Sequence, residues 1–438
     1  MATTSLSVMR QSLSENIGDY VSLDTTAAGD ATGFSIVSTA FLNLSGGGDT
    51  DAFEGMYLLI ADSDSSADGQ SRVIAAYNAD LDNPTCRVDR AFSVQIASGI
   101  TVELHRYDPA DKNNVLRQAI RELFPDLYLP VRDETLIVDN VLSNSDFETF
   151  SSGFTGWTEV GSPTVTQETS RVFHGDSSAK VVAVAGAAGQ LTQSPSVNQA
   201  ELAGVTTTAK FWGWASAASK ARVRIDFGSE TKDGDYHEGD SEWEQLSASQ
   251  TVPTDATKVE VILEAAAGAT VYWDLGYLTV GPKHVYTLPT SIIRGPHRIT
   301  QQYNVDDVDG PYYDIGEGGA PTEGRILRVE GMGLLSRPST NSGTTEVGEP
   351  QVSLVVAYAE MLLWRLMASP ARAAKQDRQG YVDAGRDAAG KVAVLKAQKG
   401  LMMPRIGAQR HRNNWHVEAD GSGRYIVFDR TRAGVLST

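Results

Sequence analysis

The sequence has one cysteine, few aromatic residues and no long hydrophobic run. Because Cys86 stands alone among 438 residues, neither an intramolecular disulfide nor a cysteine-based zinc site can form, which fits folding in a reducing cytoplasm. Aromatic residues make up only 8% of the chain, whereas 41 glycines indicate many turns and hence much β structure. No apolar run is long enough to span a membrane, and Met1–Ser14 lacks the basic and apolar stretches of a signal peptide, so we expect neither feature.

The chain is acidic, with a formal net charge of −18, which argues against the wrapping of nucleic acid by the whole chain. Its cations are concentrated, because residues 365–412, the basic segment, contain eleven Lys and Arg but only three Asp. Such a segment is typical either of a solvated helix or of a surface that docks on an acidic neighbouring subunit. The candidate docking residues are Arg372, Lys375, Arg378, Arg386, Lys391, Lys396, Arg405, Arg410 and Arg412.

Strand and helix patterns follow one another along the chain. Alternating apolar residues and turn residues predict strands over residues 20–107, which would form a small antiparallel barrel or sandwich. Asp108 and Pro109 then predict the start of a helix, whose apolar residues recur with helical spacing up to Pro125. Residues 144–281 alternate apolar and polar side chains in nearly every segment and show no helical period, which predicts a β-sandwich of the jelly-roll type.

A strongly apolar helix is predicted at residues 350–367, and a second, basic helix at 371–399. Helices thus lie on both sides of the sandwich, so we predict an α+β, mainly β fold with a discontinuous core domain of a small β-barrel plus helices. The predicted parts are 1–143 and 282–399 for the core domain, 144–281 for the inserted sandwich and 400–438 for an extended C-terminal docking tail.

The two ends of the core resemble phage neck and tail-associated proteins. The matching residues are YVSLDTTAAGDATGFSIVSTAFLN from Tyr20, GMYLLIADS from Gly55, VELHR from Val102, AIRELFP from Ala119 and ILRVEGMGLLSRP from Ile326. This resemblance implies a head-to-tail adaptor in the virion neck or tail, assembled in the host cytoplasm. It would form a homo-oligomeric ring of about twelve copies and contact the portal protein and tail or stopper proteins. An acidic lumen would let DNA pass without specific binding.

The insert resembles carbohydrate-binding modules of the family 4 and family 9 type. The matching residues are NSDFE from Asn144, GFTGW ending at Trp157, HGDSSAKV from His174 and VYWDLGYLTV from Val271. The resemblance implies a structural calcium ion, with Asp146, Glu148 and Asp274 as candidate ligands, because hard oxygen ligands suit Ca²⁺. The alternative is that Asp146 caps a turn and that Asp274 is an acid at a strand end. No other cofactor is expected.

Tryptophans are concentrated in the insert, and Trp212, Trp214 and Trp243 are the candidates for glycan binding. Sugar-binding faces stack pyranose rings on indoles, and Trp212 and Trp214, two residues apart on one predicted strand, share a face. The alternative is that this face points inward and that the indoles belong to the core. An acidic cluster at 233–242 has the residue types of a glycosidase but equally those of a solvated loop tip, so we predict no catalytic residue.

These patterns predict a virion structural protein, a subunit of a head-to-tail adaptor ring with an outward-facing sandwich, and not an enzyme. The alternative is a tail spike or fibre protein whose sandwich binds host surface polysaccharide. A polysaccharide hydrolase is a third class, which the release of reducing sugar would reveal.

Overall fold

The computed structural model describes residues 2–45, 52–80, 82–197, 199–302, 312–314, 321–349, 351–372, 377–398 and 427–429. The helices of this part of the chain are α1 (Leu6–Asn16), α2 (Ala40–Leu44), α3 (Pro109–Glu122), α4 (Gln199–Leu202), α5 (Gln351–Met367) and α6 (Arg378–Ala397). None of these described helices is both long and apolar enough to cross a membrane.

The strands are β1 (Thr4–Ser5), β2 (Val21–Asp24), β3 (Ser35–Val37), β4 (Tyr57–Ile60), β5 (Ser71–Asn78), β6 (Thr85–Val88), β7 (Thr101–His105), β8 (Leu129–Ile137), β9 (Thr158–Val160), β10 (Thr164–Glu168), β11 (Ser178–Val182), β12 (Gly189–Gln193), β13 (Thr206–Ala215), β14 (Ala221–Asp226), β15 (Thr231–Tyr236), β16 (Trp243–Thr251), β17 (Glu260–Ala265), β18 (Thr270–Thr279), β19 (Val285–Thr287), β20 (Arg294–Gln302), β21 (Tyr312–Asp314), β22 (Ile326–Gly333), β23 (Thr344–Thr345) and β24 (Val427–Asp429). The fold is therefore α+β and mainly β, as the sequence predicts.

The chain divides into two compact units. Unit 1 consists of residues 1–129 and 332–405, and unit 2 of residues 130–331 and 406–438. These divisions differ from the domain boundaries expected from the sequence, because residues 130–143 and 282–331 lie in the unit that contains the sandwich. The physical reason is strand pairing: β8, β20, β21 and β22 form one four-stranded sheet in the order β21-β20-β22-β8. Of the predicted C-terminal tail, only β24 lies within the described residues, where it pairs in parallel with β19.

Unit 1 contains a six-stranded sheet in the order β2-β7-β4-β5-β6-β3. An isolated β-bridge joins Ala27, just after edge strand β2, to Val37 of β3, the strand at the other edge. This bridge brings the two edges of the sheet together, so the sheet curls as expected for the small barrel predicted from the sequence. Buried aliphatic and aromatic side chains, including Phe41, Leu58 and Val102, fill its interior.

The helices of unit 1 form as their sequence predicts. The Asp108 carboxylate accepts a hydrogen bond from the N–H of Ala110, so it caps α3, and Pro109 occupies the first turn. Helices α3 and α5 pack in the same unit, where the hydroxyl of Tyr358 donates to Glu122. Helix α6 begins at Arg378 rather than at residue 371, and it packs on α5 through Trp364 and Tyr381, whose rings stack with centroids 5.8 Å apart.

A buried polar network lies inside unit 1. Arg10 contacts Glu103 at 3.2 Å, and Lys112 contacts Asp19 at 2.8 Å, with all four side chains almost inaccessible to solvent. His105 lies between the two pairs, with Nε2 2.9 Å from Glu103 and Nδ1 3.0 Å from the ammonium of Lys112. Two cations face two carboxylates, so the buried charges balance, which is the condition under which proteins tolerate them.

Unit 2 contains the predicted sandwich of two five-stranded sheets. The first sheet has the order β10-β11-β18-β13-β16 and the second sheet the order β15-β14-β17-β12-β9, with every strand pair antiparallel. Their facing sides bury one apolar core, which includes Phe147, Phe211, Val223, Leu263 and Trp273.

The outer face of the first sheet is covered in part. Ile137 of β8 and Ile326 of β22 pack there with Leu275 and Tyr277 of β18 in a small buried cluster. Trp212 lies at the margin of this cluster, half-buried. The four-stranded sheet thus covers one part of the outer face, and the remaining part carries the side chains described next.

Candidate functional site: an aromatic face on the sandwich

Strand β13 places two of the predicted tryptophans outside the core. Phe211 and Ala215 are fully buried between the sheets, whereas Trp212 and Trp214 alternate with them and are half-buried on the outer face. The sequence left open whether these indoles face outward or belong to the core, and the structure excludes the core position. Trp273, by contrast, is a core residue with no exposed surface.

Strand register aligns side chains from all five strands of the first sheet in one row. Trp243 pairs with Trp214, Trp214 with Tyr272, Tyr272 with Lys180, and Lys180 with Thr166. Directly paired residues share a face, and neighbouring strands lie ~4.8 Å apart, so the row extends over roughly 19 Å. We call this set of five residues the aromatic row. All three predicted tryptophans thus lie on one face of one sheet.

Phe173 joins the third tryptophan to the row. Its ring stacks on Trp212 with centroids 4.0 Å apart and an interplanar angle of 22°, and it lies 5.8 Å from the ring of Trp243. The indole N–H of Trp214 donates to the carbonyl of Ser241 at 2.7 Å, which fixes the orientation of that ring. The aromatic side chains are therefore held in place by one another and by backbone hydrogen bonds.

Arg171 is a further residue of this face, which the sequence analysis missed. Its guanidinium carbon lies 3.6 Å from the ring centroid of Trp214 and 4.6 Å from that of Tyr272. Such stacking is the geometry of a cation–π interaction. The ammonium of Lys180 lies 5.8 Å from the Tyr272 centroid, and 3.9 Å from a carboxylate oxygen of Glu168. Side chains alternate between the two faces of β18, so the apolar neighbours Val271 and Trp273 on the core side place Tyr272 on the outer face. This alternation was the signal in the sequence from which Tyr272 could have been predicted as a residue of the site.

The loop that carries Arg171 and Phe173, residues 169–177, is anchored by two of the predicted calcium ligands. Asp274 Oδ2 accepts hydrogen bonds from the N–H of Phe173 at 2.7 Å and of His174 at 3.0 Å. Glu148 Oε1 accepts from the N–H of Asp176 at 2.8 Å and of Ser177 at 3.2 Å. We call this loop the recognition loop.

The three predicted calcium ligands lie close together but are not arranged as a complete ligand set. Burial raises the pKa of Asp274 to about 8 and that of Asp146 to about 6, and the charge of Glu148 contributes to both rises. A cation would relieve this repulsion, so the charge of the cluster suits Ca²⁺. Both oxygens of Asp274 nevertheless accept backbone hydrogen bonds, and within the described residues no three His, Cys, Asp or Glu side chains are placed to hold a metal.

The described residues of the basic segment mostly contact acids of the same unit. Arg372 forms an ion pair with Asp111, Lys391 with Glu360 at 3.2 Å, Lys396 with Asp126 at 2.7 Å, and Arg386 with Asp383 at 3.2 Å. The first three pairs tie the segment to other parts of its own unit, which the sequence did not predict, whereas Arg386 and Asp383 both belong to α6. Arg378 begins α6. Lys375, Arg405, Arg410 and Arg412 lie outside the described residues.

The acidic cluster at 233–242 does not form a pair of opposed carboxylates on the described surface. Asp233 accepts from both Arg222 and Arg224, which also contact Glu264. His237 is buried, and its Nδ1 accepts from the N–H of Gly239. These partners favour the structural option, a solvated loop with an ion-pair network on the second sheet.

Neither a protein-family model nor a curated protein matches the chain. Solved structures do. The C-terminal family 22 carbohydrate-binding module of Clostridium thermocellum Xyn10B is 19% identical, with a TM-score of 0.26, over 33% of this chain and 98% of that chain. The CBM22-1 xylan-binding domain of Paenibacillus barcinonensis Xyn10C is 16% identical, with a TM-score of 0.25, over 34% and 94%.

The enzymatically active domain of tailspike protein 4 of bacteriophage CBA120 also matches, with 17% identity and a TM-score of 0.26 over 32% of this chain. The match covers 21% of that chain, so this protein spans about a fifth of it.

Proposed function

We propose that the protein binds a polysaccharide along the aromatic row. The observation that carries this proposal is the register of the first sheet, which places the half-buried rings of Trp243 and Trp214 beside Tyr272 on one outer face. The apolar C–H face of a sugar matches a flat aromatic ring, and neighbouring polar side chains supply hydrogen bonds. Tyr272 is buried beneath Arg171, so a bound sugar would contact Trp243, the open part of Trp214 and the guanidinium itself.

The biological setting we propose is the tail of a phage virion, where such a face would recognise host surface polysaccharide. The support is the resemblance of the segments at both ends of the chain to phage neck and tail-associated proteins. In this setting the alternative reading from the sequence, a spike or fibre-type recognition protein, becomes the leading one. No reaction is proposed for the site.

The experiment is a binding assay of the full chain on an array of bacterial and plant polysaccharides. We expect Trp214→Ala and Trp243→Ala to lower affinity for the bound glycan about tenfold, which corresponds to the loss of ~1.4 kcal/mol of stacking on an indole. Tyr236→Ala is the matched control, because Tyr236 is an exposed aromatic residue of the second sheet. Binding that survives both tryptophan substitutions would place the glycan site elsewhere and overturn the proposal.

A second candidate is the adaptor ring, which one observation in unit 1 favours. Helices α1, α5 and α6 enclose a groove of about 670 Å³ whose lining includes Val352, Val356 and Val394. The side chain of Val394 is 59% exposed, and an apolar side chain of this kind at a groove is suited to contact with another subunit. In this role the ring would join portal and tail proteins, and the two functions are compatible within one chain.

Native mass spectrometry of the full chain tests the ring. A closed oligomer, expected near twelve copies, should be reduced to smaller species by Val394→Glu, whereas Val382→Glu, at another exposed valine of α6, serves as the control. A monomer at high protein concentration would argue against self-assembly into a ring.

A further inference from the structure

We propose that the polysaccharide is anionic, and that Arg171 binds a carboxylate group of a uronic acid or a similar acidic sugar. This inference rests on the proposed function and specifies its ligand class. It starts from the position of the Arg171 guanidinium, which lies against two rings of the aromatic row.

Among the described residues, the guanidinium of Arg171 has no acidic partner. No carboxylate oxygen of this part of the chain lies within 4 Å of it, and its N–H groups donate no hydrogen bond there. Arg222 provides the contrast within the same unit. It also lies over an aromatic ring, that of Tyr236, but its N–H groups bind Glu264 and Asp233. Arg171 therefore keeps the donors that Arg222 uses internally.

A guanidinium supported by aromatic rings is well suited to a carboxylate. Its planar set of N–H donors matches the two oxygens of a carboxylate, and such charged pairs are about twice as strong as neutral hydrogen bonds. Stacking on Trp214 and Tyr272 restricts the side chain before a ligand arrives. The recognition loop is restricted as well, since Asp274 and Glu148 bind its backbone, so less entropy is lost on binding.

The charges around the aromatic row differ from one end to the other, so they would orient a bound polysaccharide. The Arg171 guanidinium lies over Trp214 and Tyr272 in the middle of the row, and Lys180, with Glu168 as its nearby acid, lies at the β11 side. Asp240 and Glu242, both exposed, flank Ser241 just before β16, at the Trp243 end of the row. We therefore expect the acidic sugar at Arg171 and a neutral sugar at Trp243.

The test compares charged polymers with their neutralised forms on the full chain. Polygalacturonate, alginate and hyaluronan are each assayed beside the same polymer with its carboxylates esterified, by affinity electrophoresis and calorimetry. We expect the wild-type protein to bind at least one acid form about tenfold or more tightly than its ester, with affinity that falls as salt rises. Arg171→Gln should abolish this difference, Arg171→Lys should reduce it, and Trp243→Ala should weaken both forms alike.

Each alternative outcome has a definite meaning. Equal affinity for acid and ester, unaffected by Arg171→Gln but lost in Trp214→Ala, would overturn the acidic ligand and leave polysaccharide binding intact. Binding to neither form of any polymer, together with no signal on the wider array, would count against both proposals. Melting temperatures of all variants separate loss of binding from loss of fold, and Lys180→Gln provides a second charge variant outside the loop.

Discussion

The backbone N–H of Phe173 donates a 2.7 Å hydrogen bond to the carboxylate of Asp274, a fully buried side chain of β18. This bond connects the sandwich to the recognition loop, whose Arg171 and Phe173 lie against the aromatic row. The geometry of the proposed site therefore depends on a carboxylate that a ligand would never touch. Stability and glycan binding should respond together when this bond is removed.

Substitution of Asp274 by Ala tests this dependence. The change leaves the partly buried N–H groups of Phe173 and His174 and the buried N–H of Leu275 without their acceptor, so we expect the free energy of unfolding to fall by ~2–5 kcal/mol. Urea denaturation measures the loss, and Asp235→Ala, at an exposed residue of β15, is the control with an expected change within ~0.5 kcal/mol. Equal stability of the two variants would contradict the anchoring role.

The raised pKa of Asp274 makes stability depend on pH. In the folded protein the pKa is about 8, above the ~3.9 of an unfolded aspartate, so the folded state holds a proton that the unfolded state releases. The free energy of unfolding therefore falls as pH rises from about 4 to about 8, by at most ~1.4 kcal/mol per pH unit. Asp146, with a pKa of about 6, contributes in the same direction at lower pH. The wild-type protein and Asp274→Asn should be compared in EDTA, and parallel pH profiles would refute the prediction.

The structural calcium expected from the sequence has a direct test, because a bound cation would keep the carboxylates of Asp146, Glu148 and Asp274 ionised and would oppose this fall. Both oxygens of Asp274 already accept backbone hydrogen bonds, so we expect millimolar Ca²⁺ at pH 8 to leave the melting temperature of the wild-type protein unchanged. Magnesium serves as the control cation, since it demands a stricter octahedral geometry. A rise with calcium but not with magnesium, reduced in Asp146→Asn, would contradict this expectation.

The buried network of unit 1 should be far more sensitive to substitution than the surface pairs of α6. Lys112→Met leaves Asp19 buried without its 2.8 Å partner, which should cost ~3–5 kcal/mol. Arg386→Met removes an exposed pair with Asp383 and should cost less than ~1 kcal/mol. Chemical denaturation compares the two, and a loss below ~1 kcal/mol for Lys112→Met would show that the network is dispensable.

Two glycines should respond to alanine in opposite directions. A Cβ at Gly276 would overlap the ring of Phe211, so Gly276→Ala should displace a core side chain and destabilise the protein by ~1–3 kcal/mol. A Cβ at Gly390, inside α6, would meet nothing within 4 Å, so Gly390→Ala should stabilise it by ~0.5–1 kcal/mol. Thermal unfolding measures both, and a shift in the same direction for both would be inconsistent with the packing described.

Much of the local structure follows from the sequence. The start of α3 at Asp108 and Pro109 and the apolar helix α5 are confirmed, because capping and helical spacing act over a few residues. The jelly-roll sandwich is also confirmed, because apolar and polar residues that alternate along a strand predict a sheet with one buried face and one exposed face. The division of the chain was less predictable, because β8 and β22 are nearly 200 positions apart and join one sheet only through tertiary pairing.

For the proposed site, the sequence by itself determined that Trp212 and Trp214 share a face, because successive side chains of a strand point to opposite sides. Only the tertiary structure decided that this face points outward, and that Trp243, Tyr272 and Arg171 are its neighbours. The alternation of side chains along a strand is set by backbone geometry within a few residues. Which of the two faces is exposed, and which residues are paired across strands, depends on the pairing of distant strands and on the side of the sheet that packs against the core.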